Sequence, residues 1–131
     1  LDRLRHWNAV LPQGFLTGFI DLVFRHNGRY YIVDWKSNRR GGVPADFQPA
    51  GLRAEMAEHA YFLQYLIYTV AVHQFLRGAL RENYDYDRHF GGVFYIFLRA
   101  TRENTGHGIF ADRPARSLIE DLSRLLGEFA P

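Results

Sequence analysis

The period of apolar positions changes several times along the chain, and each change predicts an element. Phe15 to His26 is dense in Phe, Ile, Leu and Val and reads as a strand. Asn27-Gly28 follows, the strongest short hairpin signal, because a type I′ turn needs positive φ at both central positions. Arg29 to Ser37 (RYYIVDWKS) is the returning strand. Ser37 to Gly51 holds two prolines, three glycines and two arginines, a loop composition. From about Leu52 to Glu82 the period becomes helical, with Leu63, Leu66, Ile67, Val70 and Ala71 at three- and four-residue spacing. That length suggests two helices, broken near His59.

Gly91 to Ala100 (GGVFYIFLRA) is nearly continuous in apolar residues, the pattern of a strand buried on both faces. Thr105 to Ala111 adds a short edge strand. Pro114 stands near the start of a last helix, where its missing N–H costs nothing. Apolar residues then recur at 118, 119, 122, 125, 126 and 129. The order strand, strand, helix, strand, edge, helix predicts an α/β fold, a mixed central β-sheet flanked by helices. Its 131 residues suit one domain, residues 1–131.

Composition narrows the chemistry. The absence of cysteine excludes disulfides, cysteine zinc sites and iron–sulfur clusters, and fits a reducing compartment. No apolar run reaches the roughly 18 residues of a membrane helix, and Leu1 to Asn8 is too charged for a signal peptide. The net charge is only +2, so bulk charge says little about nucleic acid. Of the 16 basic residues, only Lys36 is a lysine. A composition bias toward arginine accounts for most of this, and marks Lys36 as a position arginine does not fill. Lysine is a compact point charge with an adjustable pKa, unlike the planar, always charged guanidinium.

Taking Asn27-Gly28 as a two-residue loop fixes the register: Val23 faces Ile32, and Asp21 faces Asp34. Two carboxylates then sit opposite each other, with Cβ atoms about 4.5–5.5 Å apart, which is destabilising unless compensated. Lys36 lies two residues past Asp34, on the same face. Three accounts stay open: a structural ion-pair network, a bulge that slips one carboxylate into solvent, or a site for a hard divalent cation.

These residues resemble the core of PD-(D/E)xK nucleases of the RecB type. The stretch GFIDLVFRHNGRYYIVDWKSN, Gly18 to Asn38, carries the likeness. Asp21 matches the first carboxylate, Asp34-Trp35-Lys36 the D-x-K, and Gln64 with Tyr68 the Q-x-x-x-Y of the next helix. HFGGVFYIFLR and RPARSLIEDL extend it over nearly the whole chain. The resemblance implies a restriction-endonuclease-like core and a Mg²⁺-dependent exodeoxyribonuclease, with Mn²⁺ or Ca²⁺ as possible substitutes. Asp21, Asp34 and the Trp35 backbone carbonyl would hold the metal. Lys36 would act on the attacking water or the transition state, and Gln64 and Tyr68 would position DNA or water. It also implies a cytoplasmic helicase–nuclease of break repair and recombination, acting on DNA with RecC and RecD subunits and no membrane.

Beside these roles stand blander readings. An amphipathic helix also places Gln64 and Tyr68 on one face, with the tyrosine packed on the sheet. Arg39 and Arg40 are either solvated loop charge or phosphate contacts at the mouth of the site. Tyr61, Tyr65, Trp7 and Trp35 are read as packing. The family implies a further metal ligand, a histidine on an upstream helix. His6, in LDRLRHWNAV, does not fit such a helix, so the expectation is an N-terminally truncated fragment whose own activity suffers for it. No phosphate-loop motif of a helicase motor occurs. The rival function is a non-catalytic nuclease-fold module that docks on partner subunits or DNA.

Overall fold

The Asn27-Gly28 turn takes the conformation its residues favour, with φ of 49° and 77°. A computed structural model of the chain describes residues 6–11, 14–37, 49–98, 101 and 108–129. The strands are β1 (His6–Leu11), β2 (Gly14–Phe19), β3 (Leu22–His26) and β4 (Arg29–Lys36). Then come α1 (Pro49–Glu58), α2 (Tyr61–Leu80), a 3-10 turn (Arg81–Asn83), α3 (Tyr86–His89), β5 (Phe90–Phe97), β6 (Ile109–Asp112) and α4 (Arg116–Leu126).

The main sheet runs β3-β4-β5-β6. β4 and β5 pair in parallel, while β3 and β6 flank them antiparallel, so the sheet is mixed as expected. A parallel pair needs a crossover, and α1 and α2 lie on it. The β3–β4 register is the one that the turn dictates: Leu22 opposite Val33, Val23 opposite Ile32, His26 opposite Arg29. β5 is interior, which accounts for its apolar run, and Gly91 is needed in it. A Cβ there would stand 2.2 Å from the ring of Tyr31, which stacks against Phe24 and Phe94.

Three expectations need correction. The strand expected over Phe15–His26 is two strands, broken at Ile20 and Asp21, and β2 belongs to a separate two-stranded sheet with β1. A buried Ile20 at the junction anchors the change of sheet. His6 lies on β1, opposite Phe19, where no strand was expected. Finally, α1 begins at Pro49, inside the stretch read as loop.

The helix break falls where periodicity placed it, at His59-Ala60, with Ala60 left-handed at φ 55°. Residues Tyr68 to Gln74 of α2 are all buried, because the helix packs on the sheet and beneath α4. Gln74 fastens α4: its Nε2 donates to Ser123 Oγ (3.0 Å) and the Gly127 carbonyl (2.8 Å), and its Oε1 accepts from Phe129 N–H (2.6 Å). Among the described residues, no helix is long and apolar enough to cross a membrane.

Candidate active site

The break between β2 and β3 builds one wall of the site. Had the antiparallel ladder continued, Ile20 would oppose Trp35. Instead the Trp35 N–H donates to Asp21 Oδ2 at 3.0 Å, so a carboxylate satisfies the backbone group that the ladder abandons. This fixes Asp21 beside the end of β4, next to Asp34. The β3–β4 ladder has no bulge from Leu22 to His26, and Asp21 stands just before its first pair.

Asp34 is 3% exposed. Its Oδ2 lies 2.7 Å from Lys36 Nζ, is itself buried, and lacks a well-directed hydrogen bond among the described residues. Burial pushes the Asp34 carboxyl above the usual range; Lys36 opposes this, and Asp21 pushes the same way as burial. A buried carboxylate with one under-satisfied oxygen, beside a second, partly exposed carboxylate, is an arrangement that a cation would stabilise. Two carboxylates and a nearby carbonyl also match the sparse protein ligation of Mg²⁺, which keeps several waters.

Lys36 is the hub. Its ammonium donates to Gln64 Oε1 at 3.1 Å and sits 4.1 Å from the centroid of the Tyr61 ring and 5.3 Å from that of Tyr95. With Asp34, this surrounds the ammonium with a carboxylate, an amide oxygen and an aromatic face. Gln64 Oε1 also accepts from Tyr95 O–H at 2.6 Å. Tyr68, one turn on, hydrogen-bonds Gln64, and burial with the charges of Asp34 and Asp21 pushes its phenol up to about 12. Asp21, Asp34, Lys36, Gln64 and Tyr68 therefore converge, from two elements and one inter-strand break.

Two members were not among the expected site residues. Tyr61, read as packing, holds the lysine; its position three residues before Gln64 on one helix face was the available signal. Tyr95 was hidden in an apolar strand and is brought beside Asp34 by the parallel β4–β5 register. Trp35, also read as packing, is 42% exposed. Tyr65 does pack, and its O–H donates to Asp112 Oδ2 at 2.5 Å. Arg39 and Arg40 lie outside the described residues, as do the side chains of His6 and Trp7.

A second group of potential ligands, Glu55, Glu58 and His59, has ligand atoms within 4.8 Å of one another. His59 Nε2 lies 3.2 Å from Glu55 Oε1, and its ring stacks on Tyr61. The group thus borders the site through the ring that carries Lys36.

The sequence profile of the PD-(D/E)XK nuclease superfamily matches residues 5–129. The chain is 51% identical over 110 residues to RecBCD enzyme subunit RecB of Haemophilus influenzae, covering 84% of the chain and 9% of that protein. It is 48% identical over 108 residues to the Escherichia coli subunit, covering 82% and 9%. The Mycobacterium tuberculosis subunit is 42% identical over 122 residues, covering 87% and 11%. The chain therefore spans about a tenth of the length of the relatives it matches.

Proposed function

Because the chain belongs to the PD-(D/E)XK nuclease superfamily, we propose that it is the nuclease domain of a RecBCD-type helicase–nuclease, hydrolysing DNA phosphodiester bonds with bound Mg²⁺ as an exodeoxyribonuclease. Residues 1–131 form one unit of that larger subunit, which works with RecC and RecD in break repair and recombination. The observation that carries this reading is the Lys36 ammonium, held between Asp34 and Gln64 (2.7 and 3.1 Å). An ion pair needed only for stability would not require the amide and the aromatic face as well.

Asp21, Asp34 and the Trp35 carbonyl are the groups that would hold the cation. When bound there, a divalent ion supplies Lewis-acid polarisation of the scissile phosphate and lowers the pKa of a water. The protein's own part is positional. The Trp35 N–H fixes the Asp21 carboxylate, so that it is spared reorganisation when the cation arrives. Lys36 presents a fixed positive charge where the phosphate gains negative charge, and orients the attacking water. Gln64 aims Lys36, Tyr95 aims Gln64, and Tyr68 extends the chain of hydrogen bonds toward the DNA. Arg39 and Arg40 are assigned phosphate contacts at the mouth of the site.

The test is cleavage of end-labelled single- and double-stranded DNA by the full polypeptide that contains this chain. Mg²⁺-dependent hydrolysis lost in Asp34→Ala is the expected result. Unchanged hydrolysis in that variant, or in chelator, would put the active centre elsewhere, as in a module that only docks.

A further inference from the structure

A second positively charged feature lies at the other end of β4. Arg25, Asn27, Gly28, Arg29, Arg88 and His89 line a groove of about 480 Å³ between the hairpin tip and α3. Among the described residues, no carboxylate lines it. The guanidinium groups of Arg25, Arg29 and Arg88, all exposed, have no ion pair or hydrogen bond among the described residues. The contrast with the arginines around α4 is sharp. Arg77 pairs with Glu128, Arg113 with Asp87, Arg116 with Glu120, and Arg124 with Asp121.

The acids that flank Arg88 in sequence are engaged elsewhere. Asp87 is taken by Arg113 at 2.9 Å, and Asp85 Oδ1 caps the Arg88 backbone N–H at 3.0 Å. His89 Nδ1 is engaged with the Asp85 backbone, so the imidazole is held in place. Arg25 shares a sheet face with Tyr30, and Arg29 shares the opposite one with His26, so the two reach the groove from either side of the hairpin. Unpaired charge of one sign in a concave wall focuses potential, and guanidinium forks match phosphate oxygens.

We infer that this groove is a second nucleic-acid contact, an anchor for the phosphate backbone at the end of the sheet away from Asp34 and Lys36. Arg29 and Asp34 are five residues apart on one strand, about 17 Å. That is about five phosphates along one strand of a duplex. The anchor therefore engages a different part of the strand from the one being cut. The choice of a nucleic acid over an acidic protein segment rests on the proposed nuclease reading and on the shared β4 scaffold.

The experiment measures binding of the full chain to a labelled 20-nucleotide strand and a 20-base-pair duplex in chelator, across a salt series. The triple variant Arg25→Gln, Arg29→Gln, Arg88→Gln is compared with Arg77→Gln, Arg116→Gln, Arg124→Gln, which removes equal charge from the paired surface. The groove triple should lose at least tenfold in affinity, and its log K against log salt slope on the single strand should shrink by about 2, as three phosphate contacts disappear. The paired-surface triple should stay within about twofold of wild type. Equal losses in both would reduce the effect to bulk charge and overturn the anchor. Wild-type binding by the groove triple would overturn it too, and leave the groove to an acidic protein segment. If the wild-type chain itself binds neither probe, the nuclease reading fails along with the anchor, an outcome separate from the other two. Should the triple fail to melt cooperatively, Arg88→Glu on the exposed face of α3 carries the same comparison.

Discussion

The ammonium of Lys36 lies 4.1 Å from the ring centroid of Tyr61, so the first residue of α2 forms one side of the lysine's cage. The ring is in turn stacked on His59, at 5.3 Å between centroids. A lysine with four rotatable bonds loses much conformational freedom when it is fixed, and an aromatic face is a partner that takes up no hydrogen-bond acceptor. Tyr61→Leu should therefore lower kcat about fivefold, consistent with about 1 kcal/mol of lost cation–π interaction, with KM little changed. Tyr61→Phe should retain most of the rate. Steady-state cleavage of both variants checks this; an equal loss in Phe and Leu would assign the effect to the phenol oxygen instead.

Lys36→Gln separates chemistry from architecture. It keeps most of the side chain's length and polarity while removing charge. Loss of a charge that acts in the transition state should cost about 10²-fold or more in rate. Affinity for Mn²⁺ should hold or rise, because a repelling cation has gone. If the lysine served only as a structural counter-ion, the fold would instead lose stability, by about 3–5 kcal/mol in a fully buried pair. Cleavage rate, calorimetric metal affinity and the denaturation midpoint together decide between these outcomes.

Divalent metal should stabilise the fold through Asp34. A cation that binds only the folded chain contributes about 2.7 kcal/mol at a hundred times its dissociation constant. Raising Mn²⁺ should raise Tm in the wild type and leave Asp34→Ala unmoved. A full thermal response in Asp34→Ala would place the ion elsewhere, and the Glu55, Glu58 and His59 group would be the place to look.

His73 should make stability depend on pH. It is buried, its Nδ1 lies 2.8 Å from the Tyr84 hydroxyl, and burial with the nearby Arg77 holds its pKa below the ordinary value. The unfolded chain takes up this proton near pH 6.5 and the folded chain only at lower pH. The neutral histidine's contribution is thus complete above about pH 6.5 and is lost as pH falls through the folded value. His73→Gln should reduce that loss, at the expense of about 1 kcal/mol at neutral pH from the altered Tyr84 contact. Urea midpoints of both proteins at pH 7.5 and 5.5 measure the difference; parallel shifts would mean that His73 does not titrate in this range.

What the sequence determined by itself is local. Asn27-Gly28 selects its turn through backbone sterics, and the turn then sets which residues of β3 and β4 oppose each other. The helix break at Ala60 and the start of α4 after Pro114 follow from periodicity and proline geometry in the same way. The motif positions Asp21, Asp34, Lys36, Gln64 and Tyr68 were legible as a set because their spacing is a one-dimensional property. Tertiary structure decided the rest. Nothing between Phe15 and His26 announces that the strand breaks at Asp21, since both halves are equally apolar; the break arises because Ile20 is buried at the junction of two sheets. Tyr95 reaches the site only through the parallel β4–β5 register, and Tyr61 reads as packing until Lys36 comes to rest above it. Pairing and burial between distant segments depend on how elements share a core. Those are properties of the assembled chain, and no local window of residues contains them.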